Sequence, residues 1–204
     1  MSYLPTGTVY GVLLNFRAEV EALASQMDQP PYKAPPKAPV LYVKTANTWT
    51  PSGGAVPVPA RVPEVEVGAT VGLVMGERGA VAGHVLMNDL SVPHASFFRP
   101  PVKFKCLDGF LGIGGALRTG VDPASLVLEV RIDGELRHTA DFSQLKRPAE
   151  QLLADVGEFM TLHAGDVLML GCNAGRPLAR VGQRIEISAP GFEPLVNTLV
   201  REAA

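Results

Sequence analysis

A proline-rich stretch that turns abruptly into a strand is the strongest constraint in this sequence. Pro31-Tyr32-Lys33-Ala34-Pro35-Pro36-Lys37-Ala38-Pro39 runs straight into Val40-Leu41-Tyr42-Val43-Lys44. A flexible linker would not end in β-branched and aromatic residues. Proline fixes φ and stiffens a connection, so the stretch reads as an ordered lid or arm entering a sheet. Around it, only two segments show the helical period. Val20, Leu23, Ala24 and Met27 share one face of a helix that begins after Asn15-Phe16. Ala149, Leu152, Leu153, Val156, Phe159 and Met160 form the stripe of a second, expected from Arg147 to Leu162 with Pro148 in its first turn.

The remaining patterns are strands: Val9 to Leu14, Val40 to Val43, Val67 to Met75, Val81 to Met87, Leu126 to Ile132, Val167 to Leu170 and Ile185 to Ile187. Asp133-Gly134 is a hairpin turn of the kind that takes positive φ at both central positions. No βαβ alternation occurs and no G-x-G-x-x-G follows a strand, which argues against a parallel dinucleotide-binding sheet. The expected class is mainly β with a few helices, an α+β chain built on an antiparallel roll or sandwich. The organisation expected is one domain over 1–204, with about residues 1–60 as an arm that packs on the roll.

Composition excludes several functions. Hydrophobic residues make up 47% of the 204 residues, enough for a core without metal or disulfide staples. Eighteen basic against 20 acidic residues give a net charge of −2, with no basic stripe for nucleic acid and no charged tail. Cys106 and Cys172 are too few for a disulfide framework and read as thiols in a reducing compartment. There is no signal-peptide pattern and no run of about 18 apolar residues. A cytoplasmic protein without membrane or nucleic-acid partners is expected.

Four histidines, His84, His94, His138 and His163, lack metal-ligand spacing. His84 lies in an apolar strand and reads as a packed residue, whereas His94 follows a strand end beside the candidate site. Asn88-Asp89 ends the strand from Ala82, where polar side chains either face a cleft or close the strand as an Asx turn. Lys103-Phe104-Lys105-Cys106-Leu107-Asp108-Gly109-Phe110 sets two cations and an acid among apolar residues, with glycines 112, 114 and 115 following. Open backbone of that kind lets a ligand approach closely, and a dicarboxylate would need such cations. Lys105 is read either as that cation or as a lysine paired with Asp108 or solvated.

Together these blocks resemble the fumarylacetoacetate hydrolase family, in order and over nearly the whole chain. Its Gly-Tyr-x-x-x-Asn-Asp-x-Ser block is matched by Gly83-His84-Val85-Leu86-Met87-Asn88-Asp89-Leu90-Ser91. Its Ala-Lys-Ser-Phe-Asp-x-Phe block is similar to Phe104-Lys105-Cys106-Leu107-Asp108-Gly109-Phe110, and its closing Gly-Asp segment to Gly165-Asp166-Val167-Leu168 through Gly182-Gln183-Arg184-Ile185. The proline-rich stretch and Phe97-Phe98-Arg99-Pro100 resemble one branch, whose members decarboxylate and isomerise unsaturated keto acids. The departures are informative. The family's metal-binding Glu-x-Glu falls on Gly68 and Thr70, while Glu64-x-Glu66 stands four residues early, as a solvated strand entry or a shifted ligand. Glu19 stands where the family carries histidine, so a general base is missing, and Gly171-Cys172-Asn173 replaces Gly-Thr-Pro.

The resemblance implies a mixed β-roll and a small keto-dicarboxylate or tricarboxylate substrate. It assigns catalytic roles to Lys105 and Asp89 and substrate binding to Lys44, Asn88 and Asp108, with no metal ligand in this chain. A divalent metal, Mg or Mn, would belong to the assembled enzyme and be held by a homologous partner subunit; a homo-oligomer is the other assembly expected. Three functions stay open: a decarboxylase/isomerase subunit, an acylpyruvate-type hydrolase, and a non-catalytic partner that keeps only the fold.

Overall fold

The computed structural model describes residues 2–94, 96 and 98–203, so Phe97 of the Phe-Phe-Arg-Pro block lies outside the described residues. In chain order the elements are β1 (Val9–Leu13), α1 (Arg17–Met27), β2 (Val40–Lys44), β3 (Trp49–Pro51), β4 (Ala55–Val58), β5 (Val65–Glu66), β6 (Ala69–Met75) and β7 (Val81–Asp89). They continue with the one-turn helix α2 (Val102–Lys105), β8 (Leu111–Ile113), β9 (Val127–Ile132), β10 (Glu135–Asp141), α3 (Ala149–Gly157), β11 (Val167–Met169), β12 (Leu178–Ala179), β13 (Arg184–Ser188) and β14 (Leu195–Arg201). Seven strands form one sheet in the order β2-β1-β11-β6-β7-β8-β3, and five form a second in the order β10-β9-β13-β14-β4. Pairing is mostly antiparallel; β1 with β11, β14 with β4 and β3 with β8 run parallel. This is the mainly β, mixed roll that the sequence implies. Among the described residues no helix is long and apolar enough to cross a membrane.

Strand period two places alternate residues on opposite faces, and both faces of the large sheet are apolar. Val71, Leu73, Leu86 and Leu168 join Leu128, Val130, Ile187, Leu195 and Leu199 of the second sheet in one core. Val85, Met87, Leu111, Val167 and Met169 face the other way and meet Leu23 and Met27 of α1 together with Tyr42. Each such side chain contributes about 1.5–3 kcal/mol when fully buried. Residues 9–58 supply β1 to β4, with β1 between β2 and β11 and β4 at the edge of the second sheet. The β9–β10 hairpin turns at Asp133 (φ 52°) and Gly134 (φ 85°), the conformation expected there.

Two local readings change. The second helix ends at Gly157 and not at Leu162, because glycine is a poor helix former, and Phe159 of its expected stripe is 58% exposed. Pro148 sits at the N-cap, just ahead of the first turn. The two lysines before Cys106, whose alternation with Phe104 reads as a strand, lie on a helical turn, which brings Lys105 inward. The proline-rich stretch sets Tyr32 edge-on to Phe98, ring centroids 6.1 Å apart.

Gly11 on β1 lies opposite Tyr42 on β2, and a Cβ there would run into the phenol ring. Gly11→Ala is expected to destabilise the chain by about 1–3 kcal/mol through overpacking. Gly53→Ala, where φ is +86° and no neighbour lies within 4 Å, should cost about 1–2 kcal/mol from backbone strain alone. Urea unfolding of each variant against the parent chain checks this; an unchanged midpoint for Gly11→Ala would show that the Tyr42 ring is not held where the site requires it.

Candidate active site

Residues two apart on a strand share a face, so Tyr42 and Lys44 of β2 both reach across the sheet toward the end of β7. Asp89 ends β7 and projects to that same side. α2 carries Lys105 in from the far side, and all four side chains are buried. Lys44 is fixed by its three N–H donors, which go to the carbonyl oxygens of Leu90 (2.8 Å), Lys105 (2.5 Å) and Phe110 (2.7 Å). Its Nζ also lies 2.9 Å from Asp89 Oδ1. Lys105 Nζ donates to Asp89 Oδ2 at 2.5 Å and sits 4.8 Å from the centre of the Tyr42 ring. The Tyr42 hydroxyl donates to the same Asp89 oxygen, and Cys172 Sγ lies 3.9 Å from it.

The electrostatics follow from burial and contact. Burial alone would raise the Asp89 carboxyl, but Lys105, Lys44 and the Tyr42 hydroxyl together hold it well below the usual carboxylate range. Burial brings the Lys44 ammonium down to about 8, with Asp89 opposing the fall. Burial and the Asp89 charge keep the Tyr42 phenol and the Cys172 thiol protonated, the thiol pushed up to about 12.

A second group adjoins the first. After β11 the loop from Gly171 carries Cys172 and Arg176. Arg176 Nη2 lies 3.1 Å from Glu66 Oε2, and Nη1 lies 3.4 Å from Glu19 Oε1. The other Glu19 oxygen accepts the Leu14 N–H at 2.7 Å. Burial raises the Glu19 carboxyl, while Arg176, the Leu14 amide and Lys105 pull the other way.

Of the residues expected from sequence, Lys105, Asp89 and Lys44 meet in one cluster. Lys44 was expected to bind substrate; its three donors are taken by backbone carbonyls, which leaves it none for a ligand. Asn88 is a correction as well. It neighbours Asp89 on β7 and therefore faces the opposite way, into the space between the sheets beside Gly112 and Asn197. Asp108 is exposed and accepts from Asn47 Nδ2 at 2.6 Å, away from the cluster and from Lys105. His94 stacks on Phe104 of α2, ring centroids 4.7 Å apart, and His84 is packed as expected, its Nδ1 3.3 Å from the Arg118 carbonyl. Glu66 is not a solvated strand entry but an Arg176 partner, whereas Glu64 pairs with exposed Arg180. Sequence reasoning missed Tyr42 and Arg176. Period two from Lys44 points to Tyr42; no local pattern marks Arg176.

The residues present do not fit a divalent metal. At Gly68 any Cβ would press on the Asp89 carbonyl and lie 2.9 Å from Cys172 Sγ, so no carboxylate side chain has room there. Thr70 Oγ1 is already donating to the Gly171 carbonyl at 2.6 Å. Asp89 is covered by two ammonium groups, and among the described residues no three His, Cys, Asp or Glu side chains are grouped to hold a metal ion. Hard divalent cations need several oxygen ligands around one point.

The family model described as fumarylacetoacetate (FAA) hydrolase C-terminal matches residues 8–200. The chain belongs to the fumarylacetoacetate hydrolase family. It is 38% identical over 207 residues to the 4-hydroxyphenylacetate degradation bifunctional isomerase/decarboxylase of Escherichia coli, covering 96% of this chain and 48% of that protein. The enzyme of the same description from Salmonella dublin is also 38% identical, over 208 residues and with the same coverage. The chain thus spans about half the length of these curated relatives. Among solved structures, 5-carboxymethyl-2-hydroxymuconate delta-isomerase from Mycobacterium smegmatis superposes with a TM-score of 0.80 at 22% identity, over 100% of this chain and 82% of that one. Fumarylpyruvate hydrolase from Pseudomonas aeruginosa, solved with Mn2+ and pyruvate, gives 0.79 at 19% identity, over 97% of this chain and 91% of that one.

Adding Mg2+ or Mn2+ to the chain, or treating it with EDTA, should leave its melting temperature unchanged. A bound ion at 100 times its dissociation constant would add about 2.7 kcal/mol, and a shift of that size that Asp89→Asn abolishes would refute the geometry above.

The depressed Asp89 carboxyl makes stability pH-dependent on the acid side. The unfolded carboxyl titrates near ~3.9 and the folded one well below it, so the contribution is complete above that range and is lost as pH falls through it. In Asp89→Asn this part of the acid slope should vanish. Urea midpoints measured from about pH 2 to 6 check it; an unchanged slope in the variant would assign the acid sensitivity elsewhere.

Proposed function

We propose that this chain is one half of a two-part decarboxylase/isomerase. The substrate is 5-oxopent-3-ene-1,2,5-tricarboxylate, which loses CO2 to give 2-hydroxyhepta-2,4-diene-1,7-dioate. That dienol is then isomerised to 2-oxohept-3-ene-1,7-dioate. Similarity to one half of the bifunctional enzymes supports the assignment, and one observation in the site carries it. Among the described residues, Asp89 is the single hydrogen-bond acceptor of the Lys105 ammonium, which has three donors. Two donors are therefore available to an enolate oxygen or a carboxylate.

Both chemical steps place negative charge on an oxygen next to a carboxylate. A preformed cation in a water-poor site stabilises that charge without reorganising. Lys105 supplies the cation, and Asp89 orients it and offsets its charge. Lys44 holds the carbonyls of Leu90, Lys105 and Phe110 in place and so fixes the geometry of the pair. A divalent metal, Mg or Mn, belongs to the homologous half, whose carboxylates hold it. A hydrolase reading is weaker, since nothing in the cluster activates a water. A non-catalytic partner keeps one supporting observation, the near-complete burial of Lys105 and Asp89.

Decarboxylase assays of this chain alone, of the homologous half alone and of the mixture, with Mg2+, decide between these readings. Full turnover is expected only in the mixture. Lys105→Met in the mixture should lower turnover about 10-fold or more, the equivalent of one lost charge-assisted bond of about 1.5–3 kcal/mol, at a temperature where circular dichroism shows the variant folded. A mixture no faster than the homologous half by itself would leave the non-catalytic reading.

A further inference from the structure

The Arg176 group plays no part in the chemistry above, yet it is built like a binding site. Its guanidinium is nearly buried, with 12% of the side chain exposed, and follows directly on Gly175 (φ 70°) in the loop that opens at Gly171 (φ 100°). The tip of that loop is exposed and a Cβ at Gly175 would meet nothing within 4 Å, so Arg176 sits at the solvent side of a buried charge cluster. Its two carboxylates hold it unequally. Glu66 comes from β5, which β12 and the Ser91 backbone pin in place, and lies 3.1 Å away. Glu19 makes the longer contact of 3.4 Å, through Oε1 alone, while Oε2 is engaged by the Leu14 amide. A guanidinium prefers a bidentate carboxylate with two parallel N–H···O bonds, and neither resident acid provides one.

We propose that Arg176 is a carboxylate-binding residue for one end of an organic diacid, and that Glu19 is the resident carboxylate which the ligand displaces from it. This deepens the function proposed above by naming how the far carboxylate of that substrate class is recognised. The groups facing Glu19 are Arg176 and Cys172 on the loop, Lys105 on α2 and the Leu14 amide. Once a ligand carboxylate takes Arg176, Glu19 loses the strongest charge that keeps it ionised and stands beside a new negative charge. It then takes a proton from solvent, so binding of the diacid is coupled to proton uptake at Glu19 Oε1. The Lys105 ammonium, with donors not used by Asp89, can take the other end of the ligand.

Isothermal titration of the full chain with heptanedioate, in two buffers of unlike ionisation enthalpy near pH 7, tests this. Wild type should bind and take up a fraction of a proton per site. Arg176→Met should weaken binding about 10-fold or more, as expected for a lost charge-assisted pair. Glu19→Gln, which removes the competitor while keeping the Leu14 hydrogen bond, should bind more tightly and show no proton uptake. If Arg176→Met fails to fold, Glu19→Gln decides by itself. The proposal is overturned if heptanedioate does not bind, if Arg176→Met binds it unchanged, or if proton uptake persists in Glu19→Gln. Binding and turnover are separate readouts. Arg176-dependent binding without any gain in the mixed assay would sink the decarboxylase/isomerase reading alone; turnover in the mixture without Arg176-dependent binding would sink this one alone.

Discussion

One ammonium group organises this site. Lys44 Nζ gathers the carbonyls of Leu90, Lys105 and Phe110, which belong to three different segments: the end of β7, the end of α2 and the turn before β8. Burying an ammonium carries a penalty of several kcal/mol unless each donor finds a partner and a counter-charge is near. Here every donor is used and Asp89 stands 2.9 Å away. Geometry that satisfies one buried cation therefore dictates where three backbone segments converge. It also fixes the position of Lys105, since the carbonyl of that same residue is one of the three acceptors.

Asp89 is the second consequence. A single carboxylate serves Lys44, Lys105 and the Tyr42 hydroxyl, so two ammonium groups share one counter-charge. The small residues around it follow from this crowding. Gly11 leaves room for the Tyr42 ring, and Gly68 leaves room for Cys172 and the Asp89 carbonyl. A glutamate at position 68 would have to displace that packing. Thr70 fits the same pattern, its hydroxyl tying β6 to the start of the loop that carries Arg176.

How much of this was legible in the sequence depends on whether the signal is local. Apolar runs and turn chemistry marked β1, β2, β6, β7, β9 and the Asp133-Gly134 hairpin, while β14, seven residues long at Leu195–Arg201, was not read as a strand. β3, β8 and β12, of two or three residues each, are too short to show a period. α2 was hidden because Lys103-Phe104-Lys105 alternates like a strand, and only the tertiary pull of Asp89 and the Val92–Phe104 backbone contact identify it as a turn of helix. Resemblance singled out Asp89 and Lys105 one by one; that they meet in one cluster is visible only in the fold. Resemblance could not separate Asn88 from Asp89, although alternation requires that only one of two adjacent strand residues face a given side. Nor could it count carbonyls: whether a lysine has donors left for a ligand is a property of backbone 46 to 66 residues away. Arg176 lies 157 residues from Glu19, beyond any motif.

The difference between the two lysines is the last step. Both are buried, both touch Asp89, and a charge map would treat them alike. Hydrogen-bond capacity separates them. An ammonium with three carbonyl acceptors is a structural cation; it cannot turn toward a ligand without abandoning buried carbonyls, each worth about 1–3 kcal/mol when left unpaired. An ammonium with one acceptor keeps directional capacity and can change partners at little cost. The two acids at Arg176 differ in another way: Glu66 makes the closer ion pair from a paired strand, at 3.1 Å, while Glu19 divides its oxygens between the Leu14 amide and a 3.4 Å contact with the guanidinium. In this cluster, chemistry is available at the groups whose bonding is incomplete, and the fully bonded ones hold those groups in place.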